Sequence, residues 1–131
     1  MEAVRENIPR ISEFVDAALE QMNRSVKAQM AIDIALDEIL ANICHYAYAT
    51  GTGTVEVCVD HDAENRTAEI TFRDRGVPFD PLQKEDPDTT LTAEQREIGG
   101  LGIFLVRKTM DAMKYRREGG SNVLTIRKKI G

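Results

Sequence analysis

A change of hydrophobic period near Gly51 constrains this chain more than any other feature. Before it, Ile32, Leu36, Ile39, Ile43 and Ala47 recur three and four residues apart, the spacing of one face of an α-helix. After it, Val55, Val57 and Val59 in TVEVCVDHD and Ala68, Ile70 and Phe72 in TAEITFRD recur every second residue, with Glu64 and Asn65 in a turn between them. That is the pattern of an antiparallel hairpin with one buried face. A chain of 131 residues is the size of one ordinary domain, so segments of both periods must share one core. A single domain over residues 1–131 is expected.

The remaining segments complete the layout. Ile8, Ile11, Val15, Leu19 and Met22 predict a first helix, with Pro9 where a first helical turn tolerates it. Ser25 is placed to cap the second helix. From about Leu101 to Met113 the period is again helical, and MKYRREGGSNVLTIRKK reads as two strands around Gly119 and Gly120. Between these parts, residues 77–98 carry Pro78, Pro81 and Pro87 and no sustained period, which predicts a long loop of the kind that serves as a lid. The order helix, helix, hairpin, lid, helix, hairpin implies an α+β two-layer sandwich with about three helices on one face of a sheet.

Composition removes whole classes of function. Hydrophobic residues make up 42% and charged residues 30%, and no apolar run approaches the roughly eighteen residues of a membrane span. The start, MEAVRENIPR, lacks a secretory pattern, so a cytoplasmic location is expected. Cys44 and Cys58 lie in different elements without a CxxC pairing, which predicts two free thiols, both buried. The net charge of −5 argues against nucleic-acid binding, although RKTMDAMKYRRE and IRKK concentrate positive charge near the end.

Three short constellations could carry chemistry. In LDEILANICHYAY, at about 100° per residue, Glu38, Asn42 and His45 fall together at the edge of the apolar stripe. Glu38 and Asn42 stack a carboxylate and an amide oxygen one turn apart, which suits either a solvated helix edge or a Mg²⁺ ion that keeps most of its waters. In FRDRGVPFDP, Asp74 ends a strand and Gly76 permits a turn or a close ligand approach. A carboxylate there either terminates the strand or accepts the amino hydrogen of adenine while repelling the carbonyl of guanine. In REIGGLGIFLVRK, Gly99, Gly100 and Gly102 open a helix, either as a hinge or as a cradle of N–H groups for phosphate. The lysine of a GxxxxGK loop is missing, which disfavours a P-loop fold.

Taken together, DEILANICHYAY, DRGVPFDP and GGLGIFLVRKTMD resemble, in order and spacing, the motifs of the GHKL ATP-binding superfamily, whose Bergerat fold is that of histidine-kinase catalytic domains. The short chain, GGLGIFLV and the ending GGSNVLTIRKK look most like the anti-sigma factor serine/threonine kinases of the RsbW and SpoIIAB type. The resemblance implies a mixed, mostly antiparallel sheet and use of ATP and Mg²⁺. By position, Glu38 would be the catalytic carboxylate, Asn42 the Mg²⁺ ligand and Asp74 with Gly76 the adenine site. Gly100 and Gly102 would line the phosphates, with Thr125 assisting at adenine. His45 matches a variable position near the nucleotide, and Arg96 at the end of the lid would reach the γ-phosphate. The implied function is an anti-sigma factor that phosphorylates a STAS-domain antagonist, with a sigma factor as second partner and a homodimer as the assembly. The alternative is an ATP-binding module that sequesters its partner with little phosphoryl transfer.

Overall fold

A computed structural model describes residues 7–22, 24–44, 53–76, 78 and 100–130, with side chains in the third helix described from Leu105 onward. The element order is α1 (Ile8–Gln21), α2 (Val26–Asn42), β1 (Val55–Asp62), β2 (Thr67–Asp74), α3 (Gly100–Thr109), β3 (Ala112–Glu118) and β4 (Ser121–Lys129). The strands form one four-stranded sheet in the order β1-β2-β4-β3. Every described pairing is antiparallel, in keeping with the α+β class and mostly antiparallel sheet expected. No described helix is long and apolar enough to cross a membrane.

Local chemistry accounts for the element ends. Ser25 caps α2, its Oγ accepting from the Ala28 N–H at 3.1 Å. Asp62 accepts from both the backbone N–H and the side-chain amide of Asn65 and so shapes the β1–β2 turn. The β3–β4 connection is a two-residue turn with Gly119 at φ 56° and Gly120 at φ 81°. Positive φ at both central residues is the tight hairpin geometry whose twist matches the flanking strands.

The third helix stops earlier than its sequence pattern suggests, at Thr109 rather than near Met113. The Asp111 N–H donates to the Arg127 carbonyl at 2.9 Å, and its carboxylate accepts from the Lys129 N–H at 2.6 Å. These two bonds pull the chain into the sheet, and Met113 then alternates with Tyr115 as strand residues packed on the core.

Parity along the strands separates the two faces of the sheet. Val55, Ala68, Ile70, Phe72, Leu124 and Ile126 are buried on the face that the helices cover. Ile11, Val15 and Leu19 of α1, Ile32, Leu36 and Ile39 of α2, and Val106 of α3 meet them in one cluster. Truncating a fully buried leucine such as Leu19 or Leu36 would cost about 2–5 kcal/mol. The other face carries half-exposed Glu69, Thr71, Arg73, Thr125 and Arg127. Cys58 has the parity of Glu56 and Asp60 on β1 and is exposed, which corrects the expectation that both thiols are buried; Cys44 is half-buried, and neither forms a disulfide among the described residues. Partial desolvation, then the nearby Glu56 and Asp60 charges, push the exposed Cys58 thiol above its ordinary pKa.

At the far end of the sheet, Ile130 is buried and joins two layers. Its carbonyl accepts from the Ser25 N–H at 2.6 Å and its N–H donates to the Arg66 carbonyl at 2.9 Å.

Candidate functional site

The last residue of β2 and the second residue of β4 stand opposite each other in register. Asp74 is 3% exposed and Asn122 4% exposed, on the helix-covered face. A buried carboxylate needs donors, because its hydration is lost. Asp74 Oδ1 takes two: the Asn122 Nδ2–H at 2.9 Å and the Gly76 N–H at 2.9 Å. Asp74 Oδ2 accepts no hydrogen bond from a described residue.

Strand β3 supports this pair from the side. The Tyr115 hydroxyl donates to Asn122 Oδ1 at 2.5 Å, and Arg117 Nη1 donates to the Gly76 carbonyl at 2.8 Å. Five residues from three strands and the loop after β2 therefore form one connected set of hydrogen bonds around Asp74. Networks of this kind polarise their members and hold them in one arrangement.

Glu38 and Asn42 occupy successive turns of α2, as the sequence spacing requires. Glu38 is half-buried, while Asn42 is 8% exposed and its Nδ2 has no partner among the described residues. An orphaned buried amide is costly unless something else satisfies it. Oxygen and nitrogen of the amide exchange by a simple flip, so Asn42 can offer either a donor or an acceptor. The site thus fits a polar or ionic ligand at Asn42.

Helix α3 packs against α2 and begins at Gly100. Gly100 and Gly102 lie in its first turn, where backbone N–H groups have no acceptor within the helix. A helix end of this kind favours negative charge.

Two sequence assignments need restating. Thr125 lies on the opposite face of the sheet from Asp74, because its neighbours Leu124 and Ile126 face the core; its hydroxyl is 3.4 Å from that of Thr71. The β4 residue beside Asp74 is Asn122, three positions earlier and of the other parity. His45, Arg96 and the expected lid at 77–98, apart from Pro78, lie outside the described residues. Asn122, Tyr115 and Arg117 were missed by motif reading. The available signal was a polar Asn122 in step with core-facing Leu124 and Ile126.

The most perturbed carboxyl is elsewhere, between α1 and α2. Burial and the neighbouring Asp16 raise Asp33 from 3.8 to about 7, with Asp37 adding and Arg24 opposing. Asp16 Oδ1 and Asp33 Oδ1 are both buried and have no hydrogen-bond partner among the described residues. A cavity of about 610 Å³ also lies away from Asp74, at the far end of the sheet, lined by Arg66, Thr67, Asp111 and Arg127 among others. Two of its charged groups have internal partners: the Asp111 carboxylate takes the Lys129 backbone N–H, and Arg127 lies 3.3 Å from Asp62.

The profile of the histidine kinase-like ATPase domain matches residues 1–128. The chain belongs to that family. Among curated relatives of this ATPase domain, the serine/threonine-protein kinase BtrW of Bordetella bronchiseptica is 28% identical, over 78% of this chain and 71% of its own. The serine-protein kinase RsbW of Listeria monocytogenes is 32% identical, over 77% of this chain and 67% of its own. In three dimensions the chain is similar to the histidine kinase domain of the blue-light activated histidine kinase EL346 of Erythrobacter litoralis. The TM-score is 0.57 at 17% identity, covering 80% of this chain and 46% of the other. The chain thus spans under half of that solved structure, and the likeness is one of fold.

Proposed function

We propose that this ATPase-family chain is a serine/threonine kinase of the partner-switching type, using ATP and Mg²⁺ to phosphorylate a STAS-domain antagonist of an anti-sigma factor. The observation that carries the reading is Asp74: a buried carboxylate with Oδ1 held by two donors and Oδ2 not bonded to any described residue. That arrangement suits an amino group on a purine base and repels a carbonyl. Relatives named serine and serine/threonine protein kinases support phosphoryl transfer as the reaction.

The residues divide the work. The N–H groups of the first turn of α3, at Gly100 and Gly102, face the phosphates. Asn42 offers an amide oxygen to the metal, which when bound neutralises phosphate charge. Glu38, one turn away, orients the substrate hydroxyl and takes its proton as the phosphoryl group leaves ATP. Chemistry of this type is mostly positioning and charge neutralisation, so a site with one carboxylate, one amide and backbone donors is sufficient. Arg96 is assigned to the γ-phosphate and His45 to the nucleotide's surroundings, on resemblance alone. The protein would act in the cytoplasm as a homodimer and exchange a sigma factor for its antagonist.

Incubation with Mg·ATP and a cognate STAS protein, followed by mass spectrometry for phosphoserine or phosphothreonine, tests this directly. An unmodified partner, or equal transfer by Glu38→Gln, would remove the kinase assignment.

A further inference from the structure

The hydrogen bonds from β3 reach atoms that decide how Asp74 presents itself. Asn122 is an amide and can face Asp74 with either end. With Nδ2 toward the carboxylate the contact is a hydrogen bond at 2.9 Å; with Oδ1 toward it, two acceptors would collide at that distance. The acceptor-only Asp74 carboxylate thus selects the Nδ2 end, and the Tyr115 hydroxyl braces that orientation by donating to Oδ1 at 2.5 Å. Arg117 acts on the other flank. Gly76 gives its N–H to Asp74 and its carbonyl to Arg117, so both neighbouring peptide groups of the turn are fixed. Tyr115 and Arg117 are two residues apart on β3 and share one face of that strand.

We infer that Tyr115 and Arg117 are positioning residues that set the selectivity of Asp74 for an amino group over a carbonyl on the bound base. The inference rests on the proposed reading of Asp74 as the base-recognising group. With Oδ1 saturated by Asn122 and Gly76, the carboxylate cannot rotate to offer a different edge without breaking two bonds. Its Oδ2 then stays a pure acceptor. A base carrying a carbonyl at that place meets repulsion, and one carrying an amino group meets a hydrogen bond. Loosening Asn122 or Gly76 lets the carboxylate turn aside and dulls the distinction, while the phosphate and metal contacts from α3 and α2 stay intact.

The test compares ATP with inosine triphosphate, which has a carbonyl where adenine has its amino group, by calorimetry in the presence of Mg²⁺. Wild type is expected to prefer ATP. Tyr115→Phe keeps the ring and removes only the donor, so it should weaken ATP about 5- to 10-fold and leave inosine triphosphate within about twofold. Arg117→Met should shift the ratio in the same direction, and Arg117→Lys should restore part of it. Equal losses for both nucleotides, or an unchanged ratio, would overturn the inference. Absence of any preference in wild type would instead overturn the reading of Asp74. The lock is then judged separately from the side-chain amide signals of Asn122 in ¹⁵N-labelled protein. Slow exchange in wild type that is lost in Tyr115→Phe supports it, and identical spectra refute it.

Discussion

Asp74 and Asn122 face each other across the β2–β4 ladder, and their 2.9 Å hydrogen bond joins the end of β2 to the start of β4. The carboxylate is therefore held by the sheet itself rather than by a loop alone. Asp74→Asn keeps the shape and removes the charge and one acceptor. ATP affinity should fall about 10- to 100-fold, the loss of a charge-assisted hydrogen bond in a buried place. Calorimetric titration with and without Mg²⁺ measures it, and unchanged affinity would rule out base recognition at this carboxylate.

Substitutions at Glu38 and Asn42 are expected to separate binding from transfer. Glu38→Gln should reduce phosphoryl transfer about 100-fold or more while ATP affinity stays near that of wild type, as for loss of a general base. Asn42→Ala should weaken the Mg²⁺-dependent part of ATP binding. Single-turnover transfer to the STAS partner, read beside nucleotide affinity, distinguishes the two.

The Asp16–Asp33 contact predicts a pH dependence of stability. Asp33 has a folded pKa of about 7 against an ordinary value of 3.8. Between those values the native state keeps a proton that the unfolded chain has lost. Stability from this pair is therefore fully present below about pH 4 and is lost as pH rises through about 7. Asp33→Asn should flatten that slope and raise the melting temperature at pH 8 by about 4 °C, equivalent to about 1 kcal/mol. Thermal melts from pH 5 to 8 check it, and a slope that survives the substitution would exclude Asp33 as its source.

At the β3–β4 turn, open space surrounds both glycines, so substitution there is limited by backbone conformation rather than by collision. Gly120→Ala, at φ 81°, should cost about 1–2 kcal/mol. Gly119→Asn, at φ 56°, should cost far less, because asparagine tolerates this region and Asn-Gly suits the turn. Denaturant melts of the two variants give the comparison.

Most of the architecture could be read in advance because period reports burial. The alternation of Ile70 and Phe72, and the three-and-four spacing of Ile32, Leu36 and Ile39, are what one shared core demands. The end of α3 was misjudged because Met110 and Met113 continue a helical spacing, and only the Asp111 bonds to β4 reveal the turn into the sheet. For the site, the placement of Glu38 and Asn42 on successive turns and the bond between Asp74 and Gly76 follow from local spacing. Asn122, Tyr115 and Arg117 do not, since their roles depend on which strands become neighbours. Thr125 shows the same limit: it lies in the strand beside Asp74 but on the opposite face of the sheet, next to Thr71.

The Gly119–Gly120 turn also has a numerical consequence. Its two-residue length pairs Glu118 with Ser121 and so fixes, by counting, that Asn122 meets the core side while Val123 does not. Adding a single residue between the glycines and Asn122 would swap those sides without altering Asp74 or Gly76. The turn thus works as a ruler: its length, more than its composition, determines which β4 side chain Asp74 faces.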